Sequence, residues 1–206
     1  MLTKVDRFFF NSVYARLALV THAGLDHATL AVLKRFGAVR GAALLVRALE
    51  NAELRVGLSW RNLKVVAGED ALPGEWAVLY LGGKGQRYPE QVNFVSQKGN
   101  PQPKPPGLRG LIVLDGTWSQ AKALWWRNSW LLKLKRVVLQ PELRSRYGNL
   151  RKEPRPDALS TIESCALALG KMDSRGEDLQ RHLEDAFQKM LNEFKARSSK
   201  ARPEGP

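Results

Sequence analysis

The sequence predicts an α/β fold, a mostly parallel sheet with helices on both faces, and three observations carry that expectation. Apolar strand-length runs without alternation, as at Ala77-Val78-Leu79-Tyr80-Leu81 and Gly110-Leu111-Ile112-Val113-Leu114, suit strands buried on both faces. Each run stops at a turn former, Gly82-Gly83 after the first and Asp115-Gly116 after the second, as a strand does when it feeds a loop at its carboxyl end. Stretches with helical period lie between the strands, and such alternation gives a parallel sheet covered on both sides.

The elements follow in chain order. Arg16-Leu17-Ala18-Leu19-Val20-Thr21 is a short buried strand, and a helix is predicted over 26–36 with Asp26 as N-cap and Gly37 as stop. A second helix covers 41–49, strands are predicted over 54–58 and 63–66, and the strand over 77–81 follows. Pro101-Gln102-Pro103-Lys104-Pro105-Pro106-Gly107 excludes helix and inner strand and reads as a stiff connector. After the strand over 110–114, a helix runs to about Asn128, a strand covers 136–139, and a charged loop occupies 140–159. A loop of that length is functional or disordered. Ser160 and Glu163 stand at capping-box spacing and open a helix that Gly170 closes. A last amphipathic helix spans 176–194, so that 1–195 form a single domain and 196–206 a basic flexible tail.

Composition narrows the function. The 206 residues are 44% hydrophobic and 26% charged, with no apolar run long enough to span a membrane, which excludes both a disordered chain and a membrane protein. The N-terminal segment lacks a long apolar signal core, and the expected location is cytoplasmic. The single cysteine, Cys165, lies in an apolar helical pattern and reads as a small core residue; His22, His27 and His182 have no metal-ligand spacing, so no metal is expected. Thirty-three Lys and Arg against 20 Asp and Glu leave a net charge of +13, which suits a polyanionic partner such as RNA and equally a solvated basic surface rich in ion pairs.

Asp115, directly after a buried strand and next to a glycine, is placed at the sheet's carboxyl edge, where it either acts on a ligand or caps the following helix. Trp118 is a flat ligand surface or core. Trp125, Trp126 and Trp130 are interleaved with Lys122, Arg127, Lys133, Lys135 and Arg136. On one continuous helix, positions 118, 122 and 125 share a face while 119, 126 and 130 share another, so the tryptophans cannot all be buried together. An exposed one beside cations is a platform for an unstacked base, and Trp126 and Trp130, with Lys122, Arg127, Lys133, Lys135 and Arg136, are the expected RNA contacts; core filling is the other reading.

The run Asp115-Gly116-Thr117-Trp118-Ser119-Gln120-Ala121-Lys122, then Pro141, Tyr147, Leu150-Arg151-Lys152-Glu153-Pro154 and Leu159-Ser160-Thr161-Ile162-Glu163, resembles the ordered signature of the DTW-domain proteins, relatives of the SPOUT superfamily. Upstream, Val78-Leu79-Tyr80-Leu81-Gly82 is similar to the family's strand-and-loop block and Arg40-Gly41-Ala42-Ala43-Leu44-Leu45 to its helix start, so the resemblance covers about 41–168. Departures are plain: a Cys-rich segment is absent, Thr21-His22-Ala23-Gly24 stands where a His-Pro block is usual, and the Asn-Thr-Gly-Arg block is degenerate. The resemblance implies a SPOUT-like SAM-binding fold, knotted or unknotted. It further implies transfer of the 3-amino-3-carboxypropyl group of S-adenosyl-L-methionine (SAM) to N3 of a tRNA uridine, with release of methylthioadenosine. Asp115 is then the candidate general base, with orientation of the uridine as the other reading. Leu81, Gly82, Gly83, Thr117, Trp118, Leu150, Arg151, Ser160, Thr161 and Glu163 surround SAM, with Glu163 open to a purely capping role. A ribosomal RNA aminocarboxypropyltransferase, a SPOUT-type RNA methyltransferase and a non-catalytic RNA-binding module are the alternatives.

Overall fold

The computed structural model describes residues 16–22, 41–49, 51–80, 86–142, 145–146, 159–172 and 176–200. Its strands are β1 (Arg16–His22), β2 (Ala52–Gly57), β3 (Trp76–Leu79), β4 (Val92–Val95), β5 (Pro101–Gln102), β6 (Gly110–Asp115) and β7 (Lys135–Leu139). The helices are α1 (Gly41–Ala48), α2 (Leu63–Ala67), α3 (Trp118–Arg127), α4 (Thr161–Met172) and α5 (Gly176–Lys200).

The seven strands form one sheet in the order β2-β1-β6-β3-β7-β4-β5. β2, β1, β6, β3 and β7 pair in parallel, whereas β4 is antiparallel to β7 and to β5. The sheet is therefore mixed, five parallel strands extended by an antiparallel edge that was not expected. The added edge comes from Val92–Val95, which the sequence reading passed over, and from Pro101–Gln102. A proline tolerates that edge because no inner ladder needs its missing N–H.

Alternation along each inner strand feeds two cores. Leu111 and Val113 of β6, Ala77 of β3 and Val137 of β7 pack with α1, α4 and α5 on one face, around Leu45, Ile162, Leu183 and Phe187. Ile112, Trp76 and Val78 face the other side and meet α2, α3 and the 3₁₀ turn Ser129–Lys133 through Leu63, Val66, Leu124 and Leu131. Helices on both faces are thus observed. Trp76 lies opposite Gly110 in the β3–β6 register, and a Cβ at Gly110 would stand 2.5 Å from the indole, so only glycine admits the buried ring there.

Two other expectations are corrected. The stretch 63–66, rich in β-branched residues, is helical: Asn62 caps it by accepting from Val65 N at 3.2 Å, and Leu63, Val66 and Ala67 are buried at helical spacing. Tertiary burial overrides strand propensity. The last helix continues to Lys200, past the expected end at 194 and into the expected tail. The helix predicted over 26–36 and most of the 140–159 loop lie outside the described residues.

Candidate active site

β6 ends on Asp115 in the interior of the sheet, between β1, where Thr21 is its register partner, and β3. The chain turns at Gly116, whose φ of +141° favours glycine and whose absent Cβ would stand 2.9 Å from Gln120 Oε1. Thr117 then caps α3: its Oγ1 accepts from Gln120 N at 3.3 Å, and its own N–H donates to Gln120 Oε1 at 2.8 Å. The capping role open to Asp115 is taken by Thr117. Asp115 is only 5% exposed, and its Oδ1 accepts a 2.6 Å hydrogen bond from Thr161 Oγ1, 46 residues away at the start of α4.

The first turn of α4 is locked in place. Ser160 N and Oγ donate to Glu163 Oε2 at 2.9 and 2.6 Å, and Glu163 N donates back to Ser160 Oγ at 3.3 Å. This is the expected capping box, and it does more than cap. Glu163 also accepts from Ser145 Oγ at 2.7 Å and Arg146 N at 2.6 Å, and Arg146 pairs with Glu184 of α5 at 2.5 Å, which fastens the described part of the preceding loop to both helices. Ser160 and Glu163, expected as cofactor contacts, spend their side chains on this joint, because a carboxylate accepting four hydrogen bonds has little left for a ligand. One turn beyond Thr161, Cys165 is fully buried; burial first, and the negative charge of Asp115 second, push its thiol far above the usual range.

The tryptophans divide. Trp126 is 76% exposed on α3, one turn after exposed Lys122 and beside exposed Arg127. Trp130 is 9% exposed and donates from Nε1 to Trp60 O at 3.0 Å and Asn128 Oδ1 at 3.2 Å. Trp130 is a core residue and not the stacking platform expected of it, because α3 ends at Arg127 and the 3₁₀ turn rotates position 130 inward. Arg136, expected as a phosphate contact, is partly buried and packed against two rings. Its guanidinium carbon lies 4.9 Å from the Tyr80 ring and 5.3 Å from Trp125, themselves 4.8 Å apart, and its Nη1 donates to Gln97 O at 2.8 Å. Lys133 and Lys135 are exposed. Trp118 opens α3, but its side chain lies outside the described residues, as do Leu81, Gly82, Gly83, Leu150 and Arg151.

Sequence reasoning missed Asn128, buried at 1%, which accepts from Trp60 N and donates to Leu58 O and Leu124 O. Its only signal was an asparagine at a helix end. The Thr161–Asp115 pairing was also missed, since contacts between distant elements leave no local pattern. Among the described residues no group of three His, Cys, Asp or Glu side chains is placed to hold a metal, and no helix is long and apolar enough to cross a membrane.

A buried carboxylate stands at the carboxyl end of an inner parallel strand of an α/β domain, bonded to the start of a neighbouring helix, and that end of such a sheet is where α/β folds bind their ligands. The DTW domain model matches residues 37–195, and the chain belongs to that family. It is 40% identical over 63 residues to tRNA-uridine aminocarboxypropyltransferase 2 of Macaca fascicularis, a match covering 31% of this chain and 21% of that protein. It is 32% identical over 99 residues to tRNA-uridine aminocarboxypropyltransferase A of Arabidopsis thaliana, covering 42% of this chain and 37% of the relative. The matches thus span well under half of those relatives' length. No solved structure matches the chain.

Proposed function

We propose that this chain is a tRNA-uridine aminocarboxypropyltransferase, which moves the 3-amino-3-carboxypropyl group of SAM to N3 of a uridine and releases methylthioadenosine. Family membership and the names of the relatives support the reaction class. The observation that carries the reading is Asp115, a buried carboxylate released from helix capping and held at the sheet edge by Thr161. The first turn of α4 fits the donor: the capping box uses the amides of Ser160 and Glu163 and leaves those of Thr161 and Ile162 outside it, a donor pair suited to a carboxylate such as the methionyl one. Leu81, Gly82, Gly83, Thr117, Trp118, Leu150 and Arg151 complete the proposed cofactor wall within the family's SPOUT-like arrangement.

SAM, when bound, supplies an electrophilic carbon attached to a sulfonium. Asp115 accepts the imide proton as N3 bonds to that carbon, which makes the nitrogen a competent nucleophile. The walls decide which of the three sulfonium carbons meets N3, and thereby the product. Lys122, Trp126, Arg127, Lys133 and Lys135 hold the RNA.

The test incubates purified protein with SAM and unmodified tRNA and resolves products by mass spectrometry. Aminocarboxypropyluridine and methylthioadenosine in equal amounts are expected. Methyluridine with S-adenosylhomocysteine would replace this reading by the methyltransferase one, and RNA binding with no SAM turnover would leave a binding module.

A further inference from the structure

We infer that Thr161 is a positioning residue for the transfer: its hydroxyl, donating to Asp115 Oδ1, holds the carboxylate in one rotamer and leaves Oδ2 as the oxygen that takes the substrate proton. The inference rests on the transferase reading and assigns the Thr161 side chain a role distinct from the donor contact proposed for its backbone amide.

An aspartate's terminal torsion is broad and roughly two-fold, so a carboxylate at a strand end samples many orientations unless another group holds it. The strand fixes only the backbone of Asp115, through its pairing with β1, and Gly116 immediately afterwards adds no side chain to brace it. The holding group must come from elsewhere, and it comes from α4. Thr161 is the first residue of that helix, and its backbone is pinned by the Ser160–Glu163 box before it and by fully buried Ile162 after it. A β-branched side chain on a pinned backbone has few rotamers, so the hydroxyl is itself well placed. The 2.6 Å bond from Thr161, the first residue of α4, sets the carboxylate against the first turn of that helix, where the helix dipole favours an anion. Thr161 is only partly buried, and its hydroxyl is committed to Asp115.

The experiment compares Thr161→Val, which keeps the shape and removes the donor, with Thr161→Ser, which keeps the donor, each alone and in an Asp115→Ala background. For Thr161→Val the expected result is a fall in kcat of about tenfold or more, with SAM affinity by calorimetry unchanged within about twofold. Thr161→Ser should restore most of the rate. In the Asp115→Ala background, Thr161→Val should cost nothing further. A rise in the Kd for SAM with unchanged kcat would make Thr161 a cofactor ligand and overturn the proposal, as would equal activity of the Val and wild-type proteins or equal loss in Val and Ser. Urea unfolding of wild type, Thr161→Val, Asp115→Ala and the Thr161→Val/Asp115→Ala double variant reads the side-chain coupling without reference to turnover. Coupling in unfolding with no methylthioadenosine from wild type would sink the transferase reading and with it the catalytic role, whereas additive unfolding energies in an active enzyme would sink the Thr161 proposal alone.

Discussion

Asparagine at position 115 keeps the acceptor that Thr161 Oγ1 needs and removes the capacity to take a proton, so this single change separates shape from chemistry. Asp115→Asn should fold, bind SAM with wild-type affinity and release methylthioadenosine about 10²-fold or more slowly. A wild-type rate would remove Asp115 from proton transfer. Cys165 offers a complementary check on the same pocket. Because burial, and then the Asp115 charge, favour its neutral thiol, it should resist alkylation in the folded protein at mildly alkaline pH and react once urea unfolds the chain. Labelling of the native protein at the rate of a free thiol would mean that the first turns of α4 open in solution.

At the scale of elements, the start of α4 is a joint where four groups converge on Glu163, two from Ser160 and one each from Ser145 and Arg146. Glu163→Gln removes the charge from all four bonds and turns half of the group into a donor facing donors. A stability loss of about 1–3 kcal/mol is expected, together with faster hydrogen exchange at the Arg146 amide. Unchanged protection there would show that Glu163 does not hold the loop. This capping box was legible in advance because its two residues stand three apart in the sequence, and β6, α3 and α4 were legible from apolar runs and turn formers. What escaped depended on distant partners. Leu63–Ala67 carries valines that favour strands, yet Asn62 and the Trp76 core make it helix. Val92–Val95 joins the sheet only because β7 offers an edge. The inward Trp130 and the exposed Trp126 differ because α3 gives way to a 3₁₀ turn at position 129, which a continuous 3.6-residue period does not foresee.

Across the whole molecule, the sheet separates two regions: α4 and Asp115 gather at the carboxyl edge toward one core, and α3, on the opposite face, presents Trp126 with its cations to solvent. In the proposed reaction the net charge of +13 attracts RNA of any sequence, whereas the ring 76% exposed beside Lys122 and Arg127 is the proposed surface for one unstacked base. These two contributions have different salt dependence, so they can be measured apart. Replacing Lys122, Lys133 and Lys135 together by Ala should weaken binding to specific and unrelated RNA alike and flatten the dependence of affinity on salt, since fewer counterions are released. Arg136 is left in place, because it packs against the Tyr80 and Trp125 rings and its loss would mix an effect on packing with one on binding. Trp126→Ala should keep the wild-type salt slope and thermal stability while lowering transfer to the target uridine by about 1–3 kcal/mol of lost stacking. Trp130→Ala should do the reverse, lowering stability by about 3–5 kcal/mol as a core truncation. If Trp126→Ala modifies RNA as the wild type does, the exposed ring has no part in holding the base, and the RNA surface reduces to its cations.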